Sequence, residues 1–353
     1  MLEDSNIEAD LVTQVQEAIE KKHPLRIVGG DSKAFYGEQS EADAINVSEH
    51  TGVIDYDPAE LVITLRAGSK LKEVEALLAQ NQQMFAFEPP CYSEDSTIGG
   101  MIASGLAGPR RAFSGGPRDY LLGVKMIDGR GQVLNFGGRV IKNVAGFDIS
   151  RSMVGTLGTL GVIIEASIRI VPMPATEMTL SFEHEAANDH THWINTLASR
   201  PLPLSASSWC DGRSHLRLSG SEAGLKHAAS QLGGEKSEQD WRALAIQQHD
   251  FFSEDKAITR VAVPATSPHL DVDAPCLLEW GGAQRWFCGE IKMSRLRAQV
   301  DALNGTVCAF RHHARGVLKF HTLPEAMLGL QRQVKSRFDP HGIFNPNRMY
   351  PGM

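Results

Sequence analysis

The stretch that decides the fold reads Asp95-Ser96-Thr97-Ile98-Gly99-Gly100-Met101-Ile102-Ala103-Ser104-Gly105-Leu106-Ala107-Gly108. Small residues dominate it, and no aromatic side chain occurs in it. Glycine and alanine let a backbone approach its neighbour closely. Two interpretations are open: the backbone and the hydroxyls of Thr97 and Ser104 lie against a large flat or anionic ligand, or a small-residue helix packs tightly on a sheet. We favour the ligand.

A second glycine-rich segment, Gly29-Gly30-Asp31-Ser32-Lys33, follows a predicted strand over Leu25–Val28. Glycines permit positive φ, so consecutive backbone N–H groups can converge on a phosphate oxygen while Ser32 adds a hydroxyl. The segment lacks the G-x-G-x-x-G fingerprint of a Rossmann domain. Taken alone, it is more typical of an ordinary structural loop.

A third segment runs from Arg139 to Asp148 and continues through Met153–Ile163. Its Gly155, Gly158 and Gly161 are spaced three residues apart just before a predicted strand over 162–171. This spacing can present main-chain amides and carbonyls to the edge of a heteroaromatic ring, as proteins do when they bind a flavin.

The rest of the pattern predicts alternating helices and strands. Pro172-Met173-Pro174 indicates a domain boundary, so we expect domains over 1–172 and 173–330 and a C-terminal segment over 331–353. The predicted elements are a helix over 10–22 with a possible Asp10 cap, a strand over Leu61–Leu65, a helix from Leu71 to Leu78, a hairpin of Val124–Ile127 and Val133–Phe136, strands over Ser214–Leu218, Ala257–Val263 and Trp286–Cys288, and helices near 222–232, 291–303 and 325–337.

Composition excludes several classes of protein. The 353 residues are 42% hydrophobic and carry a net charge of −7, which is typical of a globular protein and not of one that binds nucleic acid or an anionic membrane. The acidic start predicts no secretory signal, and we expect a cytoplasmic protein that reaches the inner membrane only peripherally through partners. The five scattered cysteines predict free thiols, although Cys91 could be a flavin attachment point.

Together and in this order, the three segments resemble the FAD-binding domain of the vanillyl-alcohol oxidase type, also called the PCMH-type domain, over about residues 20–172. The run 140–172 and the tail Phe338–Asn345 are similar to the branch that contains glycolate oxidase and D-lactate dehydrogenase subunits. Leu278–Trp286 is similar to a segment typical of the E subunit family of glycolate oxidases. The resemblance implies an α+β fold, with a PCMH-type FAD-binding domain of two α/β subdomains followed by an α+β cap domain.

The resemblance also implies a set of cofactor-binding residues. Those expected to cradle the FAD diphosphate or line the dinucleotide are Gly29, Gly30, Asp31, Ser32, Lys33, Thr97, Gly99, Gly100, Ser104 and Gly108. Those expected near the flavin ring or closing the site are Gly161, Val162, Ile163 and Asn345. Arg118 matches a family position near the cofactor, where an ordinary structural salt bridge with Asp119 is the alternative.

Two departures limit this assignment. Many relatives with covalent flavin have a histidine in the phosphate turn, where this chain has Asp31 and Lys33, so we predict non-covalent FAD. The chain also lacks the His-x-Gly-Asp-Gly-Asn-x-His motif that holds metal and substrate in catalytic relatives. The nearest sequence, Arg311-His312-His313, is a poor chelate, so we predict no metal site and assign no catalytic residue.

The expected function is therefore that of an FAD-binding subunit of glycolate oxidase, in which glycolate, a 2-hydroxy acid, becomes glyoxylate. Implied partners are a second FAD subunit that holds the hydroxy acid and an iron–sulfur subunit that receives the electrons. One alternative is a self-sufficient FAD enzyme in which Arg285, Arg311 or Arg315 pairs with a substrate carboxylate. The other is a cofactor-free structural subunit.

Overall fold

The computed structural model describes residues 3–138, 148–252 and 255–353, so that most of the predicted segment from Arg139 to Asp148 lies outside the described residues. Up to residue 172 the elements are α1 (Glu8–Lys21), β1 (Leu25–Val28), β2 (Asp43–Asn46), β3 (Val53–Asp57), β4 (Val62–Arg66), α2 (Leu71–Gln80), β5 (Gln83–Met84), α3 (Ile98–Ser104), α4 (Arg111–Ser114), α5 (Pro117–Tyr120), β6 (Leu121–Ile127), β7 (Val133–Gly137), α6 (Ile149–Ser152), β8 (Val162–Arg169) and β9 (Val171–Pro172).

The remaining elements are β10 (Thr176–Glu183), α7 (Ala187–Ala198), β11 (Leu204–Cys210), β12 (Arg213–Gly220), α8 (Glu222–Leu232), β13 (Glu235–Ser237), α9 (Trp241–Ala245), β14 (Ile258–Ala262), β15 (Cys276–Glu279), a 3-10 turn (Trp280–Gly282), β16 (Gln284–Cys288), α10 (Met293–Asp301), β17 (Thr306–Arg311) and α11 (Glu325–Phe338). The chain forms two units. The first comprises residues 1–106, 116–172 and 322–353, and the second comprises 107–115 and 173–321.

The first unit contains two main sheets. Strands β1 and β2 pair in parallel, while a five-stranded antiparallel sheet has the order β3-β4-β8-β6-β7. Buried side chains of β4, α2 and α3, among them Leu65, Leu78 and Ile98, form part of its core. The mixture of helices and sheets agrees with the predicted α+β fold.

The predicted β6–β7 hairpin is confirmed, with Val124 opposite Phe136 and Ile127 opposite Val133. Asp128 organises its turn because the carboxylate accepts the backbone amides of Arg130 and Gln132. A side chain that bonds the backbone two residues on is a local turn signal, which explains why the sequence was sufficient here.

The predicted Asp10 cap of α1 is wrong. The helix begins at Glu8 with no side-chain cap from Ile7. Its first amides are bonded in another way: Asn6 accepts the amide of Glu8, and the distant His50 Nδ1 accepts the amide of Ile7. With these donors satisfied, Asp10 lies inside the first turn, where a carboxylate still favours the helix dipole.

The C-terminal residues are tied into the first unit by a buried ion pair. Lys335 Nζ donates to Asp339 and to the carbonyls of Thr159 and Phe344, at 2.6 to 2.7 Å. Asp339 also accepts the amides of Ile343 and Phe344. Burial lowers the pKa of Lys335, so the ammonium depends on these oxygens. The chain is thereby directed past the end of α11 towards β1.

In the second unit, eight strands form one antiparallel sheet with the order β13-β10-β12-β11-β15-β16-β14-β17. Two hydrophobic clusters lie against it. One includes Ile194 of α7 and Leu225 of α8, and the other includes Leu296 and Val300 of α10. Residues 107–115 belong to this unit, where Trp280 Nε1 donates to the carbonyl of Gly108. Across the described ranges of the whole chain, the helices are all too short or too polar to cross a bilayer.

Replacing Lys335 by Met should lower the unfolding free energy of the first unit by about 3 kcal/mol, because it leaves the Asp339 carboxylate buried without its cation. The midpoint of thermal unfolding measures this. A matched control is Lys226→Met, since Lys226 and Glu222 are also four residues apart on a helix but both are exposed. That change should cost well under about 1 kcal/mol. Equal effects of the two variants would contradict the role given to Lys335.

Candidate functional site

Two cavities in the first unit share a wall made of β1, α3 and the C-terminal tail. Residues that line both are Ile27, Gly29, Thr97, Gly100, Ala103, Leu157 and Asn345. One cavity, which we call the polar cavity, is further lined by Arg26, Val28, Gly30, Asp31, Ser32, Lys33, Ala34, Ser104 and Arg348. The other, the apolar cavity, is further lined by Val47, Ala67, Gly99, Gly158, Gly161 and Ile163.

The turn after β1 lies directly on the residues that precede α3. A Cβ atom on Gly30 would lie 1.5 Å from the carbonyl oxygen of Asp95, and one on Gly29 would lie 2.5 Å from Thr97 Oγ1. Ser32 and Ser96 are joined through their hydroxyls at 2.9 Å. The two glycine-rich segments therefore form one wall, and the glycines of the turn are needed for that contact.

Neighbouring glycines of the 95–108 stretch face different surroundings, and the role of this stretch in binding a ligand stays a prediction. Gly99 faces the sheet, since its amide donates to the Ala67 carbonyl and a Cβ there would lie 3.0 Å from the Ala67 side chain. Gly100 faces the cavities, and a Cβ there would meet only Thr97 Oγ1, at 3.2 Å. The Thr97 hydroxyl caps α3 by accepting the Gly100 amide. Ser104 Oγ donates to the Met101 carbonyl.

Lys33 lines the polar cavity with a buried amine. Its Nζ is shielded from solvent and has no hydrogen-bond partner in the part of the chain that the structure describes. The ring centroid of Tyr92 lies 5.7 Å away. Burial lowers the pKa of Lys33 to about 8. A buried ammonium without an acceptor is costly, so an anionic ligand in this cavity would relieve that cost.

The C-terminal tail supplies the other side of the site. Asn345 Oδ1 accepts the amide of Ile27 at 2.8 Å, and its Nδ2 donates to the carbonyl of Leu157. The guanidinium of Arg348 donates to the carbonyls of Ala34, Tyr36 and Glu38 and so holds the segment after the turn. Sequence reasoning found Asn345 but missed Arg348, for which the sequence carries no local signal.

Of the residues predicted near the flavin ring, Gly161 and Ile163 line the apolar cavity, as does Gly158. Gly158 has φ +72, and a Cβ there would lie 2.7 Å from Asn345 Nδ2. Val162 is fully buried within β8, beside the cavity residues in sequence. The geometry thus brings most of the predicted residues together around the two cavities.

Two predicted residues lie elsewhere. Gly108 belongs to the second unit. Arg118 donates to the Val154 carbonyl at 3.4 Å, while its neighbour Asp119 accepts the Gly116 amide and caps α5. The role of Gly108 and Arg118 at the cofactor stays a prediction.

Arginines of the second unit were considered as partners of a substrate carboxylate. Arg285 is 1% exposed and donates to the carbonyls of Ser267, Pro268 and Gly282, so it orders a loop. Arg260, which was not among the arginines named from the sequence, lies 5.2 Å from the Trp280 ring and donates to Gln284.

In the described ranges, no three His, Cys, Asp or Glu side chains are grouped as metal ligands would be.

Residues 6–137 match the FAD binding domain family. The chain is 40% identical to "Glycolate oxidase subunit GlcE" of Escherichia coli (strain K12), over 99% of each chain. It belongs to the GlcE family. A D-lactate dehydrogenase of Archaeoglobus fulgidus is 30% identical over 53% of this chain and 42% of its own length.

The fold has solved relatives. An alkyldihydroxyacetonephosphate synthase superposes with a TM-score of 0.67 and 14% identity, covering 96% of this chain and 74% of that one. The predicted PCMH-type FAD-binding fold, FAD as the cofactor, and membership of the FAD-dependent oxidoreductases related to hydroxy acid dehydrogenases are confirmed. The two cavities, with their glycine wall and the Lys33 amine, fit such a cofactor.

Replacing Gly100 by Leu should weaken FAD binding by about tenfold or more, because the new side chain would occupy the space shared by both cavities. The measurement is titration of the cofactor-free chain with FAD, followed by flavin fluorescence. Gly329→Leu in α11 is the matched control, since a Cβ there meets nothing within 4 Å. Unchanged affinity in the Gly100 variant would place the cofactor elsewhere.

Proposed function

We propose that this chain is the FAD-carrying E subunit of a glycolate oxidase, whose overall reaction is the two-electron oxidation of glycolate to glyoxylate. The observation that carries the proposal is the pair of adjoining cavities, one polar and one apolar, built on a single glycine wall. A dinucleotide that joins a diphosphate to a flat ring system needs both environments. Full-length similarity to a glycolate oxidase subunit supports the choice of reaction.

The polar cavity is proposed to hold the diphosphate and the apolar cavity the flavin ring. The turn amides, Ser32 and the Lys33 ammonium would bind the phosphate oxygens. Gly161 and Ile163 would meet the ring through their backbone, while Gly100 leaves room between the two. When bound, FAD supplies a two-electron acceptor. Asn345 links Ile27 to Leu157, both of which line the two cavities, and so positions these residues relative to each other.

We further propose that FAD is held without a covalent bond. Covalent attachment to protein uses a nucleophilic side chain such as histidine, cysteine or tyrosine. None of these residue types occurs among the described residues that line either cavity. Cys91 lies outside both linings, and its thiol donates to the Ser93 carbonyl.

The proposed partners are a second FAD subunit, which holds the hydroxy acid, and an iron–sulfur subunit, which receives the electrons. Similarity to two proteins named as subunits of glycolate oxidase, from Escherichia coli and Bacillus subtilis, supports a multi-subunit enzyme. Because the substrate-holding histidine motif is missing here, we propose that this subunit relays electrons or supports assembly. Any membrane contact would then be peripheral and made through the partners of a cytoplasmic protein.

The visible spectrum of the purified chain, before and after acid precipitation, tests the cofactor assignment. Flavin bands should be present and should pass into the supernatant, because the described residues that line the cavities include no histidine, cysteine or tyrosine. Flavin that stays with the precipitate would overturn non-covalent binding. A colourless chain that takes up no FAD would overturn the flavoprotein role and leave an assembly subunit.

Anaerobic glycolate then separates relay from catalysis. The flavin of the isolated chain should not bleach, whereas the same chain assembled with its partner subunits should be reduced, since the proposed hydroxy acid site lies in the second FAD subunit. Bleaching of the isolated chain would contradict the relay role. The assembled complex is the positive control, and a partner mixture without this chain is the negative one.

A further inference from the structure

Lys33 is unusual because it belongs to the lining of the polar cavity while its amine is buried, and no acceptor in the described residues compensates it. Its Nζ is inaccessible to solvent and makes no hydrogen bond within the described ranges. Most lysines keep the ammonium in water. The neighbouring Tyr92 ring at 5.7 Å offers only a weak cation–π contact.

Two carboxylates in or beside the turn that contains Lys33 each form an ion pair with another cation. Asp31, in the same turn, pairs with Arg26 at 3.3 Å. Asp95, which lies against Gly30, pairs with Lys70 at 3.2 Å.

The C-terminal tail contributes Arg348, which is itself a cation and cannot act as a counter-ion. Its guanidinium donates to backbone carbonyls. Cys91 is a further ionisable neighbour beside Tyr92, and an ionised thiolate there would favour the charged form of Lys33. Asp31 and Asp95 are therefore each paired with another cation, and no described carboxylate forms an ion pair with Lys33.

We propose that binding of FAD to this chain takes up one proton at Lys33, so that loading of the cofactor is coupled to pH. The inference rests on the proposed position of the diphosphate in the polar cavity. The proton comes from solvent, and the neutral amine becomes the ammonium that faces the phosphate oxygens. Lys33 thus acts as an affinity-determining residue whose contribution depends on its charge.

The sign of the effect follows from linkage. In the cofactor-free chain, burial lowers the pKa of Lys33 to about 8, so the amine is increasingly neutral above that pH. The two negative charges of a diphosphate favour the ammonium and raise the pKa in the bound state. The bound state then holds more protons than the free state, so affinity falls as pH rises, by up to about tenfold per pH unit above about pH 8. Below about pH 7 the affinity should be constant.

The test is titration of the cofactor-free chain with FAD between about pH 7 and about pH 9, followed by flavin fluorescence, for the unmodified chain and three variants. The unmodified chain should lose affinity above about pH 8. Lys33→Arg keeps its charge throughout, so its affinity should not change with pH. Lys33→Met should bind at least about tenfold more weakly at pH 7 with no pH dependence. Cys91→Ser should still lose affinity as the pH rises, because Lys33 remains, whereas a profile without pH dependence in this variant would assign the effect to Cys91.

A second measurement needs no variant. Calorimetric titration of the unmodified chain in two buffers of different ionisation enthalpy counts the protons taken up on binding. The count should approach one per FAD at about pH 9 and zero at about pH 7. FAD binding with no proton uptake at either pH, or a Lys33→Met variant that keeps the pH dependence, would overturn the proposal while leaving the FAD site intact. Absence of FAD binding at every pH would instead overturn the proposed function itself.

Discussion

The contact between the Gly30 backbone and the Asp95 carbonyl is the constraint on which the site depends. With a Cβ the two would lie 1.5 Å apart, so no other residue fits at position 30 without moving the chain. This contact places the turn after β1 on the start of α3. Gly99 then fixes α3 against Ala67, and the opposite side of the same helix turn, at Gly100, is left facing the cavities. A tight backbone contact on one side creates the space on the other.

The second requirement is long-range. The Lys335–Asp339 pair and its carbonyl acceptors direct the tail towards β1. There the Leu25 amide donates to the Ile343 carbonyl, and the Leu25 carbonyl accepts the Asn345 amide. Asn345 then links Ile27 to Leu157, and Arg348 holds the carbonyls of Ala34, Tyr36 and Glu38. The site is therefore complete only when residues some three hundred positions apart have met, and formation of such non-local contacts is slow compared with local ones.

Sequence was informative where the signal is local. The turn at residues 29–33, the α3 stretch and the β6–β7 hairpin each depend on glycine or aspartate within a few residues. The family pattern also pointed to Asn345. Strands β2 and β3, which are short and exposed, were missed. Lys335 could not be recognised, because lysine in an amphipathic helix is normally at the surface and its burial depends on the distant carbonyl of Thr159. The Asp10 cap was wrong for a similar reason, since His50 supplies the acceptor.

The side-chain contacts of the second unit are relevant to the question of which subunit holds the substrate. In the segment that resembles the E subunit family, Glu279 accepts hydrogen bonds from Gln284 and Trp286. The guanidinium of Arg285 donates hydrogen bonds to three backbone carbonyls. For Arg285 to bind a substrate carboxylate, the carbonyls of the buried residues Ser267 and Gly282 would lose their donor, at a cost of about 1 to 3 kcal/mol for each group left unsatisfied. The residues of this segment therefore stabilise the sheet. This argues against Arg285 as the partner of a substrate carboxylate, which was one basis for the alternative of a self-sufficient enzyme. Together with the missing histidine motif, this favours a subunit that carries a flavin while a partner holds the hydroxy acid.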